Sequence, residues 1–386
     1  MRPSKGTRWL AVVSVPLLGL ICAALPAHAG QTGPGPKPAA TVDFSGVKMF
    51  LELTARLEQE QEPTAEEWDR LFSTPGYAAL TKSEFKRDFF VERFRLAFMP
   101  SRKADLEAQM KKDTGFWAQF LPHYLRAKQM RRDIERRVAE MSTAEFRDEA
   151  IKRASRFLPA SAAGGTPAVA FVVFAPDSRG YDPVVIDILY MNDREEFLDT
   201  VAHEFHHWYR NRLAADLTRD QGILWVIQQV QLEGIADLIN VPGWINKPIE
   251  TLRPADKAYL DWYRRSGEVI QNMDRLFAQM QDNPAARREL GADLQKAVPR
   301  SGHPTGYFMA QTIVEALGRE AVVATVSNPF AFFRVYNDAA KKNGSATPVF
   351  SEKAMNLLRS LERRYQAATW RSQLFSILDS PPRDTR

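Results

Sequence analysis

The chain has 386 residues, 45% of them hydrophobic and 26% charged, enough for one large domain or two to three smaller ones and too apolar for a wholly disordered chain. Its formal charge of +5 falls to +2 once a leader carrying Arg2, Lys5, Arg8 and no acidic residue is set aside, so nothing points to a nucleic acid or other polyanion as partner. Cys22, the single cysteine, lies in that leader, which excludes disulfides, thiol catalysis and cysteine-held metal from the rest of the chain.

Residues 1–29 have the pattern of a secretory signal. A basic start precedes the apolar run Trp9 to Leu25, broken by Pro16, and Ala27-His28-Ala29 places small residues where a signal peptidase reads. Cleavage after Ala29 and export to the periplasm or the medium are expected, with no membrane attachment afterwards. An uncleaved anchor is the alternative, since the run is just long enough to span. Ile21 before Cys22 argues against lipid attachment, which would want a small residue there.

Residues 30–41, rich in Pro and Gly, read as a flexible linker. Residues 42–160 read as a helical region. Met49, Phe50, Leu53 and Leu57 recur at helical spacing, Thr64 with Glu66 and Glu67 marks a helix start, and Phe85, Phe89, Phe90, Phe94 and Phe98 form an aromatic stripe of core character. The charges from Lys128 to Arg137 read as a solvated helix face. Beyond Gly164-Gly165 the texture changes. Residues 168–174 and 184–190 read as strands joined by a turn near Arg179–Asp182. The second is either a sheet edge that receives an extended chain or an ordinary core strand. A helix follows over 194–213, capped by Asn192 or Asp193, then another over 223–240 that stops at Pro242-Gly243. Further helices are expected near 255–281, 284–296, 305–318, 329–341 and 350–377. The fold class is therefore α+β, mostly α: a small sheet before a central helix, with helical regions on either side. Residues 165–320 form the core that carries the chemistry and 321–386 a C-terminal helical region.

The central helix contains His203-Glu204-Phe205-His206-His207, an H-E-x-x-H pattern. At about 100° per residue His203 and His207 lie about 40° and one turn apart. Two imidazoles so placed can grip one ion at about 2.0–2.1 Å. Glu204, about 60° from His207, can take a proton from metal-bound water without ligating. Phe197, Val201, Phe205 and Trp208 line the opposite face and fix the helix in the core. His206 faces away from the pair and reads as a packing residue. A catalytic zinc site needs a third protein ligand. The H-E-x-x-H-x-x-G-x-x-H arrangement fails, because Arg210 and Leu213 stand where glycine and histidine would be needed. Glu233-Gly234-Ile235-Ala236-Asp237 on the next helix supplies the alternative. Glu233 can complete a His2Glu site, and Asp237, one turn on, can accept the free ring N–H of a metal histidine. Gly234 would let the two helices approach closely. The plainer reading of Glu233 is a solvated helix carboxylate.

His203-Glu204-x-x-His207 followed by Glu233-x-x-x-Asp237 resembles the gluzincin metallopeptidases, the thermolysin-like clan. HEFHHWYRN and EGIADLIN are similar to uncharacterised bacterial families assigned to the zinc-dependent peptidases, over about residues 165–320. The resemblance implies one Zn2+ per chain, a peptide or protein substrate, and an active-site helix beneath a small sheet. It implies His203, His207 and Glu233 as ligands, Glu204 as base and Asp237 as orienter. It also implies a downstream tyrosine or histidine that steadies the oxyanion, for which Tyr307 and His303 are the candidates. A rival expectation is an exported, non-catalytic helical protein with a vestigial metal site, and another is hydrolysis of a bond other than the peptide bond. The sequence carries no signal for an oligomeric state.

Overall fold

Several helices begin at residues whose side chains satisfy the free N–H groups of the first turn. Thr64 accepts from Glu67 N while the Glu67 carboxylate accepts from Thr64 N, a capping box at the predicted start. Thr143 and Asn328 cap two others. Asp193 Oδ1 accepts from the N–H groups of Glu195 and Glu196 at 2.8 and 3.1 Å, which makes Asp193 the cap of the central helix. The computed structural model describes residues 42–162, 164–190, 193–213 and 222–378. The signal segment, the linker and Asn192 lie outside the described residues.

The helices are α1 (Ser45–Leu57), α2 (Ala65–Ser73), α3 (Pro75–Ser83), α4 (Arg87–Phe98), α5 (Lys103–Lys112), α6 (Phe120–Gln129), α7 (Arg131–Met141), α8 (Ala144–Ser155), α9 (Arg194–Leu213) and α10 (Ile223–Asn240). After them come α11 (Pro254–Arg264), α12 (Ser266–Asp282), α13 (Arg287–Ala297), α14 (His303–Leu317), α15 (Arg319–Val323), α16 (Pro329–Asn343) and α17 (Glu352–Leu378). The strands are β1 (Val42–Asp43), β2 (Val169–Val172), β3 (Ser178–Arg179) and β4 (Val184–Asp187), side by side in the order β1-β2-β4-β3. β1, β2 and β4 run parallel, with Val42 opposite Val169 and Val169 opposite Val184. β3 returns antiparallel, with Ser178 opposite Ile186. The fold is α+β and mostly α, as the sequence predicts.

Three expectations change. The segment 184–190 is not a sheet edge, because β4 lies between β2 and β3, and every residue of it is buried. Among the described residues the edge strands are β1 and β3, and part of β3 reads as a turn in the sequence. The helix expected over 255–281 divides at Arg265 (φ −97°, ψ 8°), where both halves, α11 and α12, pack against α14. The helix expected from 305 begins at His303, since Pro304 fits a first turn, where no N–H is needed. The basic stretch 128–137 is mostly exposed, but Arg137 is buried and donates to Ile188 O at 2.9 Å.

One apolar core joins α1 to α4, α6 to α8, the sheet and α9. Phe50, Phe90, Phe94, Phe98, Phe120, Phe171, Phe174 and Phe205 are fully buried in it. Each such ring contributes roughly 1.5–3 kcal/mol over exposure. A second core holds α10 against α12, α13, α14, α16 and α17. A small third cluster gathers Val241, Trp244, Leu252, Tyr259, Leu260 and Tyr307. No described helix is long and apolar enough to cross a membrane.

Candidate metal centre

α9 is held by its apolar face. Phe197 stacks on Phe171 of β2 with ring centroids 5.8 Å apart, and Val201 and Phe205 are buried beside it. Trp208 is half-buried under the Arg212 guanidinium. The other face carries His203, Glu204 and His207, all buried. Their spacing brings His203 Nε2 and His207 Nε2 to 2.9 Å. His206 is buried away from this pair, with Nε2 at 3.2 Å from Phe157 O, and burial pushes its pKa down to about 3. It is a neutral packing residue, as its angular position suggests.

α10 supplies the acids. Glu233 Oε2 lies 3.1 Å from His207 Nε2 and 3.5 Å from His203 Nε2. Asp237, one turn on, is almost fully buried. Its oxygens are 3.1 and 3.2 Å from His303 Nδ1, accept the Tyr259 hydroxyl at 2.7 Å, and come within 3.4 Å of His203 Nδ1. The hydrogen-bond partner of His203 Nδ1 is Asn240 Oδ1 at 3.3 Å. Asp237 thus serves His303 more closely than the metal histidine it was expected to orient.

His303 reaches the site through the closest helix contact in the molecule. Gly234 does not serve the approach of α9, as expected, but faces Gly306 of α14. A Cβ on Gly234 would lie 2.3 Å from Gly306 C, and one on Gly306 2.1 Å from Val230 O. With no side chain between them the two backbones touch, and the first turn of α14 delivers His303 Nε2 to 3.3 Å from Glu233 Oε2. Tyr307, one turn further, is 3% exposed and packs in the small third cluster, its ring 5.5 Å from that of Tyr263.

The electrostatics call for a cation. Burial disfavours charge on His203, but the carboxylates of Glu233, Asp237 and Glu204 outweigh it and lift its pKa to about 9. Burial likewise opposes the Glu233 carboxylate, yet His303, His207 and His203 hold its pKa well below the usual range. Glu233 Oε2 nevertheless accepts no hydrogen bond of good geometry. Ligand atoms at about 2.0–2.1 Å from a tetrahedral zinc would stand about 3.3–3.4 Å apart. The observed 2.9–3.5 Å among His203, His207 and Glu233 fits that spacing. Two further sets, His203 with Glu233 and His303, and His203 with Glu204 and His207, bring donor atoms within 4.8 Å of one another.

Four residues near the site escape sequence reasoning. Ser178 Oγ donates to Glu204 Oε1 at 2.6 Å. Gly180 lies over the helix, where a Cβ would be 3.4 Å from Glu204 Oε2 and 3.5 Å from His207 Cβ. Both sit on or beside the free-edge strand. Asn240 carries a signal visible in retrospect, since Glu233, Asp237 and Asn240 share one face of α10. Tyr190, three residues past β4, is half-buried, and burial raises the pKa of its phenol.

Comparison with known proteins gives a family whose model matches residues 68–345 and is described as "Putative zinc dependent peptidase (DUF5700)". The match reaches well beyond the 165–320 over which the motifs resemble such families, and takes in much of the N-terminal helical region. No curated protein and no solved structure matches significantly.

Proposed function

The chain belongs to this family of zinc-dependent peptidases, and from that premise we propose that it is a gluzincin-type metallopeptidase in which His203, His207 and Glu233 hold one zinc ion and Glu204 is the general base. The observation that carries this reading is the convergence of His203 Nε2, His207 Nε2 and Glu233 Oε2 within 2.9–3.5 Å. Lone pairs gathered so closely away from water repel unless a proton or a metal cation lies among them, and two imidazoles with one carboxylate are a donor set that suits zinc.

Bound there, zinc supplies Lewis acidity, polarising a carbonyl and bringing the pKa of water near about 7. The side chains do the positioning and move the proton. Glu204 takes the proton of the attacking water and passes it to the leaving amine. Ser178 fixes Glu204 Oε1, which leaves Oε2 free for that proton. β3 has an unpaired edge, along which an extended peptide can add backbone hydrogen bonds, and Gly180 keeps the space above Glu204 and His207 open. For the oxyanion, Tyr307 is the phenol on the first turns of α14, packed among aromatic rings of the small third cluster. A neutral His303 has its one ring proton committed to Asp237 and none left to donate. The bond from Ser178 to Glu204 favours catalysis over a vestigial site, because an ion held only for stability needs no oriented base.

The test is metal content beside peptide hydrolysis. Wild type should carry one zinc per chain, and His203→Ala or His207→Ala should lose it. Glu204→Gln should keep the metal and lose roughly 100- to 10,000-fold in turnover. A wild type without metal, or a Glu204→Gln variant near full rate, refutes the reading. Export is part of the proposal. N-terminal sequencing of the mature protein should begin at Gly30, and an intact Met1 on membrane-bound protein would instead mean an anchor.

A further inference from the structure

Glu233 and Asp237 bracket two histidines that come from different helices, and the two stand in the same relation to both acids. His203 has Nδ1 at 3.4 Å from Asp237 Oδ1 and Nε2 at 3.5 Å from Glu233 Oε2. His303 has Nδ1 at 3.1 Å from Asp237 Oδ2 and Nε2 at 3.3 Å from Glu233 Oε2. Their rings lie nearly parallel, at 16°, with centroids 5.8 Å apart.

The protons then decide what His303 offers. Asp237 is an acceptor that already takes the Tyr259 hydroxyl, so the neutral His303 tautomer it selects carries its proton on Nδ1. The Nε2 lone pair is left facing a carboxylate oxygen at 3.3 Å, a gap that either a proton or a metal cation can fill. We propose that His303 is a fourth protein donor to the ion held by His203, His207 and Glu233, and that it is the donor that leaves to admit substrate. This rests on the zinc reading above and adds a ligand to it.

The departure follows from exposure and backbone. The His303 side chain is 32% exposed, against 6% and 8% for His203 and His207, so it alone of the three histidines faces the mouth of the site. The three residues before it are all left-handed: Arg300 (φ 48°), Ser301 (φ 53°) and Gly302 (φ 95°). Only glycine adopts that region without cost, so Arg300 and Ser301 are strained there. The segment that presents His303 is therefore under backbone tension, whereas His203 and His207 lie in the middle of α9. A site with four protein donors has no room for water in a tetrahedral shell. With all four donors engaged, His303 would have to withdraw before a carbonyl could bind.

The experiment uses the full-length zinc protein. X-ray absorption at the zinc edge of wild type, which needs no variant, should count three imidazole donors, and His303→Ala should show two. In a competition titration with a chelator, His303→Ala should bind zinc at least about 10-fold more weakly, no less than the loss of an outer-shell partner. The cobalt-substituted protein should change its visible spectrum between wild type and His303→Ala. His303→Gln, which keeps a polar side chain at the helix start, guards against loss of fold in the alanine variant. Two imidazoles in wild type, with unchanged zinc affinity and cobalt spectrum in either variant, would overturn the fourth donor and leave the His203–His207–Glu233 site standing. A wild type that binds no zinc would overturn both.

Discussion

Replacing Gly306 by alanine tests whether the contact between α10 and α14 builds the metal centre. The new methyl would lie 2.1 Å from Val230 O and 2.8 Å from Gly234 Cα. Contact distance for such atoms is about 3.2–3.5 Å, so the helices must separate by roughly 1 Å. No side chain can turn aside, because both offending atoms belong to helix backbone. Overpacking therefore costs about 3 kcal/mol or more, the top of the usual range. Alanine in place of glycine returns up to about 1 kcal/mol of helix propensity, leaving a net loss of about 2 kcal/mol. For a chain of this size that lowers the melting temperature by roughly 2–3 °C. The same displacement would carry His303 Nδ1 from 3.1 Å to beyond hydrogen-bonding distance of Asp237. Zinc affinity should then fall by roughly 10- to 100-fold. Thermal melts of the chelator-treated protein read the first effect and a competition titration the second. Gly267→Ala is the control of opposite sign. Its Cβ would meet nothing nearer than Pro348 Cγ at 3.9 Å, and it should be neutral or stabilising by up to about 1 kcal/mol. A Gly306→Ala protein that melts like wild type and keeps its zinc affinity refutes the argument.

Ser178→Ala should lower turnover roughly 10- to 100-fold at unchanged zinc content, with recovery in Ser178→Thr, since a hydrogen bond to a charged group contributes about 1.5–3 kcal/mol. Equal rates in steady-state assays would mean that Glu204 needs no support. Asp237→Asn removes the charge shared by His203 and His303 and should weaken zinc binding roughly 10- to 100-fold. An unchanged competition titration would assign the orientation of His203 to Asn240. Tyr77→Phe leaves Val173 O, which the buried hydroxyl reaches at 2.6 Å, without its donor, and should cost about 1–3 kcal/mol in denaturant unfolding. A midpoint unmoved from wild type would show that water replaces the hydroxyl.

What the sequence made legible was local. His203, Glu204 and His207 lie within five residues, and Glu233 and Asp237 within one turn, so helical spacing alone puts them on shared faces. α9 and α10 have the predicted bounds because their caps and breakers are adjacent in the chain. Contacts between distant segments were hidden. Nothing near Gly234 announces Gly306, and without that contact His303 is only a scarce residue in a loop. β1 has two residues and finds its partner more than a hundred positions away, too short a strand to carry a pattern. The edge of the sheet is a matter of strand order, which alternation cannot encode, so 184–190 could be read as an edge while β3 was read as part of a turn. Ser178 gave no sign at all, because a serine in a turn usually serves the turn.

The apolar core shared by the N-terminal helices and the sheet bears on how such an enzyme can be controlled. β1 is a strand of the sheet, Tyr77 is bonded to Val173, His123 pairs with Asp187, and Arg179 on the free edge is held by Glu84. Cutting away residues 42–160 would uncover β2 and β4 and release the strand that borders the metal centre. A zymogen that keeps this segment as a removable plug is therefore closed to the fold, since the segment that would have to leave is part of what holds the catalytic helix in place. Control of a metallopeptidase on this fold would have to act with residues 42–160 in place, for example through what can enter the cleft or through the supply of metal.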